Sequence, residues 1–101
     1  MRRFDGKSVL ILGGGADGPA LEPGELAIGN GRAITMRLAA EGASVAVVDR
    51  NLQSAEETLA ACSGNGVAIE ADLSDPEQCA ELVRKATKSL GQIDIVIANA
   101  A

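Results

Sequence analysis

Four short and almost uniformly apolar segments recur along the chain, and amphipathic segments separate them. The apolar segments read KSVLIL, SVAVV, VAIE and IDIVIA and lie at 7–12, 44–48, 67–70 and 93–98. Strands without polar alternation are buried on both faces, which is typical of a parallel sheet with helices on both sides. The order βαβαβαβ with right-handed crossovers therefore predicts a doubly wound parallel α/β sheet with strand order 3-2-1-4. The fourth strand would then be an exposed edge.

Three helices are predicted between these strands. The first begins near Gly29 and ends before Gly42, and its apolar residues recur at helical spacing. The second carries Leu52, Ala55, Leu59 and Ala60 on one face, and the third begins at Ser74, which has the capping-box spacing to Glu77. The buried stripe of the third helix is expected to comprise Cys79, Leu82, Val83, Ala86 and Leu90.

Composition excludes several classes of function. The 101 residues include no His, Tyr or Trp, so the commonest general base and the phenolic acid are missing. A net charge of -5 argues against a nucleic-acid partner. Because no apolar run approaches the roughly 18 residues of a membrane span, we expect no membrane partner and a cytoplasmic location. Cys62 and Cys79 are interpreted as reduced, partly buried thiols, with a disulfide or metal ligation as the lesser alternative, and no metal site is predicted.

The glycine pattern after the first strand needs care. Gly13, Gly15 and Gly18 match G-x-G-x-x-G literally, but Pro19 follows and no helix starts there. A helix opens instead at 29–31, which reads Gly-Asn-Gly. The pattern that fits is a turn glycine at the strand end, an interval, and then G-x-G at a helix N-terminus, where backbone N–H groups bind phosphate.

This arrangement resembles the T-G-x-x-x-G-x-G motif of short-chain dehydrogenases/reductases. The matching segments are LGGG at 12–15, IGNGRAI at 28–34, VVDR at 47–50, ADLSD at 71–75 and GQIDIVIANAA at 91–101. The resemblance implies that residues 1–101 are the N-terminal, NAD(P)-binding part of a Rossmann-type domain. Leu12 stands where the family has Thr. About a dozen extra residues, 16–27, form an inserted loop in the glycine motif, which is interpreted as a surface loop rather than a lid.

The resemblance also implies a set of cofactor-binding residues at the ends of the strands. They are Gly13, Gly15, Gly29, Asn30, Gly31, Asp49, Arg50, Asp72, Leu73, Asn99 and Ala100. Asp49 would accept hydrogen bonds from the adenosine ribose, and Asp72 would contact the adenine amino group. The alternatives are a solvated carboxylate for Asp49, a turn residue for Asp72 and a purely structural role for Asn99.

The implied cofactor is NAD, because the Asp49 carboxylate would repel the 2′-phosphate of NADP. Arg50 keeps NADP as the less favoured alternative, since an arginine can reach that phosphate.

The family interconverts alcohols and carbonyls with a Tyr, a Lys, a Ser and an Asn that would lie downstream, so no catalytic residue is assigned here. We expect the chain alone to be inactive, and the complete enzyme to act on a small-molecule alcohol or ketone and to form a homo-oligomer. The alternative is a stand-alone, non-catalytic dinucleotide-binding or regulatory module.

Overall fold

A computed structural model of the chain describes residues 3–15, 30–62 and 66–99. Within them, strands and helices alternate in the predicted order. The elements are β1 Ser8–Leu12, α1 Asn30–Ala40, β2 Ser44–Asp49, α2 Leu52–Ala60, β3 Gly66–Glu70, α3 Pro76–Leu90 and β4 Ile95–Ala98. The predicted boundaries agree to within two residues. Gly42, which follows α1, has a φ of +100°, and this conformation explains why a glycine ends that segment.

All strand pairs in the sheet are parallel, and the order β3-β2-β1-β4 confirms the prediction. Leu12 of β1 is in register with Val48 of β2 on one side and with Ala98 of β4 on the other. The carboxyl ends of these three strands therefore meet at one edge of the sheet. In doubly wound sheets, ligands bind at this edge where the connections switch from one face to the other.

The core lies in two layers, one on each face of the sheet. Between the sheet and α3, the buried residues are Leu10, Ala46, Val48, Ile69, Ala71, Leu82 and Ala86. On the opposite face, which α1 and α2 cover, they are Val9, Ile11, Ala43, Val45, Val47 and Ala55. Successive residues of β1 and β2 enter opposite layers, so both strands are buried on both faces, as their uniform apolar sequences predicted.

The start of α3 differs from its prediction. Asp75, not Ser74, is the N-cap, and its side chain accepts from the Glu77 backbone N–H at 2.9 Å. Ser74 instead donates its hydroxyl to Asp72 at 2.7 Å. The capping box expected for Ser74 and Glu77 is wrong because Pro76, with its φ already fixed at a helical value, takes the first helical position and moves the cap one residue along.

Three large apolar side chains are exposed in the described part of the chain, and Leu52 at the start of α2 is the least exposed of them, at 36%. Val83 was expected in the buried stripe of α3 but is 49% exposed, because Leu82 and Ala86, four residues apart, face the sheet and turn Val83 away from it. Val96 of β4 is 58% exposed, as expected for a strand at the edge of the sheet.

Candidate functional site

A tight glycine turn follows β1 and is held against β2. The backbone N–H groups of Gly13 and Gly14 both donate to the Val48 carbonyl, at 2.8 and 3.0 Å. Gly13 has a φ of +87°, a conformation that favours glycine. A Cβ on Gly14 would lie 2.6 Å from Cγ1 of Val47, so a side chain does not fit there without displacing the core.

The Asp49 carboxylate is bound to this turn. Its Oδ2 accepts from the Gly15 backbone N–H at 3.0 Å, and its Oδ1 accepts from the Asn51 N–H at 3.0 Å. A Cβ on Gly15 would lie 2.4 Å from Oγ of Ser54 and 2.7 Å from Oδ2 of Asp49. The half-buried carboxylate therefore has a fixed orientation at the end of β2, beside the turn.

The first turn of α1 packs directly on the glycine turn. A Cβ on Gly31 would lie 2.0 Å from the Gly13 carbonyl oxygen, so this backbone approach requires glycine. The same carbonyl accepts from Nδ2 of Asn99 at 3.3 Å, while the Asn99 backbone N–H donates to the Leu12 carbonyl at 2.8 Å. Asn99, which follows the edge strand β4, thus ties the end of β4 to the end of β1. A helix N-terminus placed here offers N–H groups to an anion.

A buried arginine that the sequence reasoning missed lies behind the turn. Arg32 is 1% exposed, and its Nε donates to Oγ1 of Thr58 at 2.7 Å. Its terminal nitrogen donates to the Ser54 carbonyl at 3.0 Å and pairs with Glu57 at 3.3 Å. The Thr58 hydroxyl donates in turn to the Gly14 carbonyl at 2.8 Å. Arg32 thereby links α1, α2 and the glycine turn.

The composition of the buried face of α1 explains why the sequence did not reveal Arg32 as a buried residue. The apolar residues that recur at helical spacing in α1 include Ile34 and Leu38, which are half-buried, whereas the residues with almost no exposure include Arg32, Thr35 and Ala39. Their spacing of three and four residues is itself a helical face and could have been read from the sequence. Hydropathy conceals such a face because two of its three members are polar.

The residues after β3 belong to a separate, exposed turn. The Asp72 carboxylate accepts from the hydroxyl and the backbone N–H of Ser74, at 2.7 and 3.0 Å. These bonds hold the pKa of Asp72 below its ordinary value, and the charge of Arg50 adds a smaller effect in the same direction. Leu73 is half-buried and packs against the α3 layer.

Not all of the predicted site residues come together. Direct contacts join Gly13, Gly31 and Asn99 in one group and Gly15 and Asp49 in a second, whereas Arg50, Asp72 and Leu73 lie at the ends of β2 and β3. Asn30 is the first residue of α1. Gly29, Ala100 and the inserted loop 16–27 lie outside the described residues.

The two cysteines are separate, half-buried thiols. Burial raises the pKa of Cys62, whose thiol donates to the Thr58 carbonyl at 3.3 Å. Cys62 lies just beyond the end of α2, and Cys79 lies in α3. Among residues 3–15, 30–62 and 66–99, no cluster of three potential metal ligands occurs, and no helix there has both the length and the apolarity needed to cross a membrane.

The sequence profile described as short chain dehydrogenase matches residues 26–101. The chain belongs to the short-chain dehydrogenase/reductase family. A relative, cis-2,3-dihydrobiphenyl-2,3-diol dehydrogenase of Rhodococcus globerulus, is 37% identical over 98 residues, which cover 97% of this chain and 31% of the relative. The chain thus spans about a third of the length of this family member.

Solved structures of the family share the fold. A putative short-chain dehydrogenase/reductase from Burkholderia xenovorans superposes with a TM-score of 0.85 at 35% identity, covering 100% of this chain and 38% of that one. A 7α-hydroxysteroid dehydrogenase complexed with NADH and 7-oxo glycochenodeoxycholic acid gives a TM-score of 0.79 at 30% identity, covering 93% of this chain and 33% of that one. These are oxidoreductases that use nicotinamide dinucleotides as a family, so the comparisons do not favour a stand-alone regulatory module.

Proposed function

We propose that this chain is the NAD-binding part of an oxidoreductase that interconverts an alcohol and a carbonyl by hydride transfer. The observation that carries the proposal is the Asp49 carboxylate, which two backbone N–H groups fix beside the glycine turn. A carboxylate at the end of β2 accepts from both hydroxyls of an adenosine ribose. It also repels a 2′-phosphate, which favours NAD over NADP.

The glycines supply the cradle for the rest of the dinucleotide. At Gly15 and Gly31 an added Cβ would collide with neighbouring atoms, so these two positions contribute only backbone to this edge of the sheet. The pyrophosphate would lie against the N-terminus of α1, with Gly29, Asn30 and Gly31 contributing backbone N–H groups. Gly13 and Asn99 would hold the turn, and Asp72 and Leu73 would flank the adenosine. Ala100 completes the predicted cofactor-binding set. The bound nicotinamide supplies the hydride chemistry.

Turnover requires groups that these 101 residues do not contain. The sequence has no Tyr and no His. The residues of the proposed site would hold the cofactor rather than donate a proton to a substrate. We therefore propose that the chain alone is inactive, and that the complete enzyme acts on a small-molecule alcohol or ketone. Its assembly into a homo-oligomer remains a prediction.

Calorimetric titration of the purified protein with NADH and with NADPH tests the proposal. We expect NADH to bind at least about tenfold more tightly, a difference of about 1.4 kcal/mol. Asp49→Ala should abolish that preference. Glu56→Ala is the matched control, since it removes one exposed carboxylate from the surface of α2 and should leave both affinities unchanged. A folded protein that binds neither nucleotide, or an Asp49→Ala variant that keeps the preference, would contradict the proposal.

The same titration addresses the NADP alternative through Arg50. This side chain is exposed and adjacent to Asp49, so it could reach a 2′-phosphate. If NADPH binds more tightly than NADH and Arg50→Ala removes that advantage, the cofactor is NADP and the role proposed for Asp49 is wrong.

A further inference from the structure

One peptide group of the glycine turn is held at both of its polar ends. The carbonyl of Gly14 accepts from the Thr58 hydroxyl at 2.8 Å, and the N–H of Gly15 donates to Asp49 at 3.0 Å. These two groups belong to the same Gly14–Gly15 peptide plane. Because a peptide is planar, fixing one end fixes the direction of the other. Thr58 and Asp49 are therefore coupled through the backbone.

Arg32 decides how the Thr58 hydroxyl is used. A guanidinium can only donate hydrogen bonds, so the Thr58 oxygen must accept from Nε of Arg32. The single hydroxyl proton of Thr58 is then directed at the Gly14 carbonyl. Arg32 is itself held in place by the Ser54 carbonyl and by Glu57. The bonds therefore run in sequence from α1 through α2 to the turn.

We propose that Arg32, acting through Thr58, is a positioning residue that orients the Gly14–Gly15 peptide and so presents the Asp49 carboxylate to the adenosine ribose. This inference rests on the proposed NAD-binding function. Glycine has more accessible backbone conformations than other residues. A turn of three consecutive glycines therefore needs external hydrogen bonds to hold a single conformation. A turn that is correctly oriented only part of the time binds its ligand more weakly by that fraction.

The decisive readout is the ratio of NADPH to NADH dissociation constants. A residue that only stabilises the fold changes the folded fraction and leaves this ratio intact in the folded protein. A residue that orients Asp49 changes the ratio, because Asp49 is the group that distinguishes the two nucleotides. The ratio therefore separates positioning from simple stabilisation.

Thr58→Val tests the inference, since valine keeps the shape of threonine and lacks the hydroxyl. We expect the NADH dissociation constant to rise about tenfold and the selectivity ratio to fall by about fivefold. Thr58→Ser restores the hydroxyl and should keep both values within about twofold of the original protein. Two controls accompany these variants. Thr87→Val makes the same chemical change at an exposed position of α3, and Leu82→Ala weakens the α3 core. Neither should alter the selectivity ratio.

Arg32→Lys provides a second route if Thr58→Val does not fold. Lysine keeps the buried charge but lacks the planar fork that reaches Thr58 and Ser54 together, so the selectivity ratio should fall here too. An unchanged ratio in a folded Thr58→Val or Arg32→Lys protein would overturn the inference and leave the proposed function standing. An original protein that binds neither nucleotide would overturn the proposed function, and this inference with it.

Discussion

The glycine turn after β1 and the turn at 72–75 after β3 lie at the same edge of the sheet but are built in opposite ways. The glycine turn is bonded to three residues that are distant in the sequence. Asp49, Thr58 and Asn99 are separated from their partners in the turn by 34, 44 and 86 positions, respectively. In the second turn, the Asp72 carboxylate accepts from Ser74, two positions away. The Asp72 backbone N–H donates to the side chain of Gln78, six positions away.

Because of this difference, substitutions in the two turns should have different effects on stability. The glycine turn exists only when β2, α2 and β4 are in place, so it reports on the whole fold. The second turn is a local arrangement of Asx and capping bonds that short segments form by themselves. Substitutions in the first should therefore affect global stability strongly, and those in the second only weakly.

Gly31→Ala should give the largest effect. In an ordinary helix, replacing glycine by alanine stabilises the fold by about 1 kcal/mol. Here the new Cβ would lie 2.0 Å from the Gly13 carbonyl oxygen, so we expect a loss instead. We predict that the free energy of unfolding falls by about 3 kcal/mol, measured by chemical denaturation.

The control for Gly31→Ala is Gly6→Ala. Gly6 has a φ of +80° but no atom within 4 Å of an added Cβ, so only backbone strain of about 1 kcal/mol is expected. If Gly31→Ala proved more stable than the original protein, the close packing of α1 on the glycine turn would be wrong.

Asp75→Ala should have a smaller effect, because it removes one N-cap bond from α3. The loss of its bond to the Glu77 N–H is expected to lower the free energy of unfolding by about 1 kcal/mol. Ser74→Ala is the matched control and should stay within about 0.5 kcal/mol, since Ser74 does not cap the helix. Thermal or denaturant unfolding distinguishes the two, and a larger cost for Ser74→Ala would reinstate the capping box that the sequence had suggested.

The smallest effect concerns the pH dependence at Asp72. Hydrogen bonds from Ser74 lower the pKa of Asp72 in the folded state. Its contribution to stability is therefore present above the ordinary pKa of an aspartate and is lost as the pH falls through the lowered folded value. A carboxyl-carbon NMR titration should show the midpoint of Asp72 rising toward its ordinary value in Ser74→Ala. No change in that midpoint would show that Ser74 does not hold the carboxylate.

The contrast between local and long-range contacts also explains how much of the structure could be predicted from the sequence. The strands and their order follow from uniform apolar segments such as those at 44–48 and 93–98, because burial on both faces leaves few topologies. The contact between Arg32 and Thr58 is not predictable in this way, since it depends on how α1 and α2 pack and involves polar residues that hydropathy assigns to the surface. Asp75 was missed for a local reason, the one-residue shift that Pro76 imposes.

Amide chemical shifts recorded during an NADH titration test the central claim most directly, because they report which residues the dinucleotide approaches. If the glycine turn is the binding site, the amides of Gly14, Gly15, Gly31 and Asn51 should shift most, and those along α3 should remain nearly constant. Shifts concentrated on α3, or none at the glycine turn in a folded protein, would contradict the assignment of this turn as the dinucleotide site.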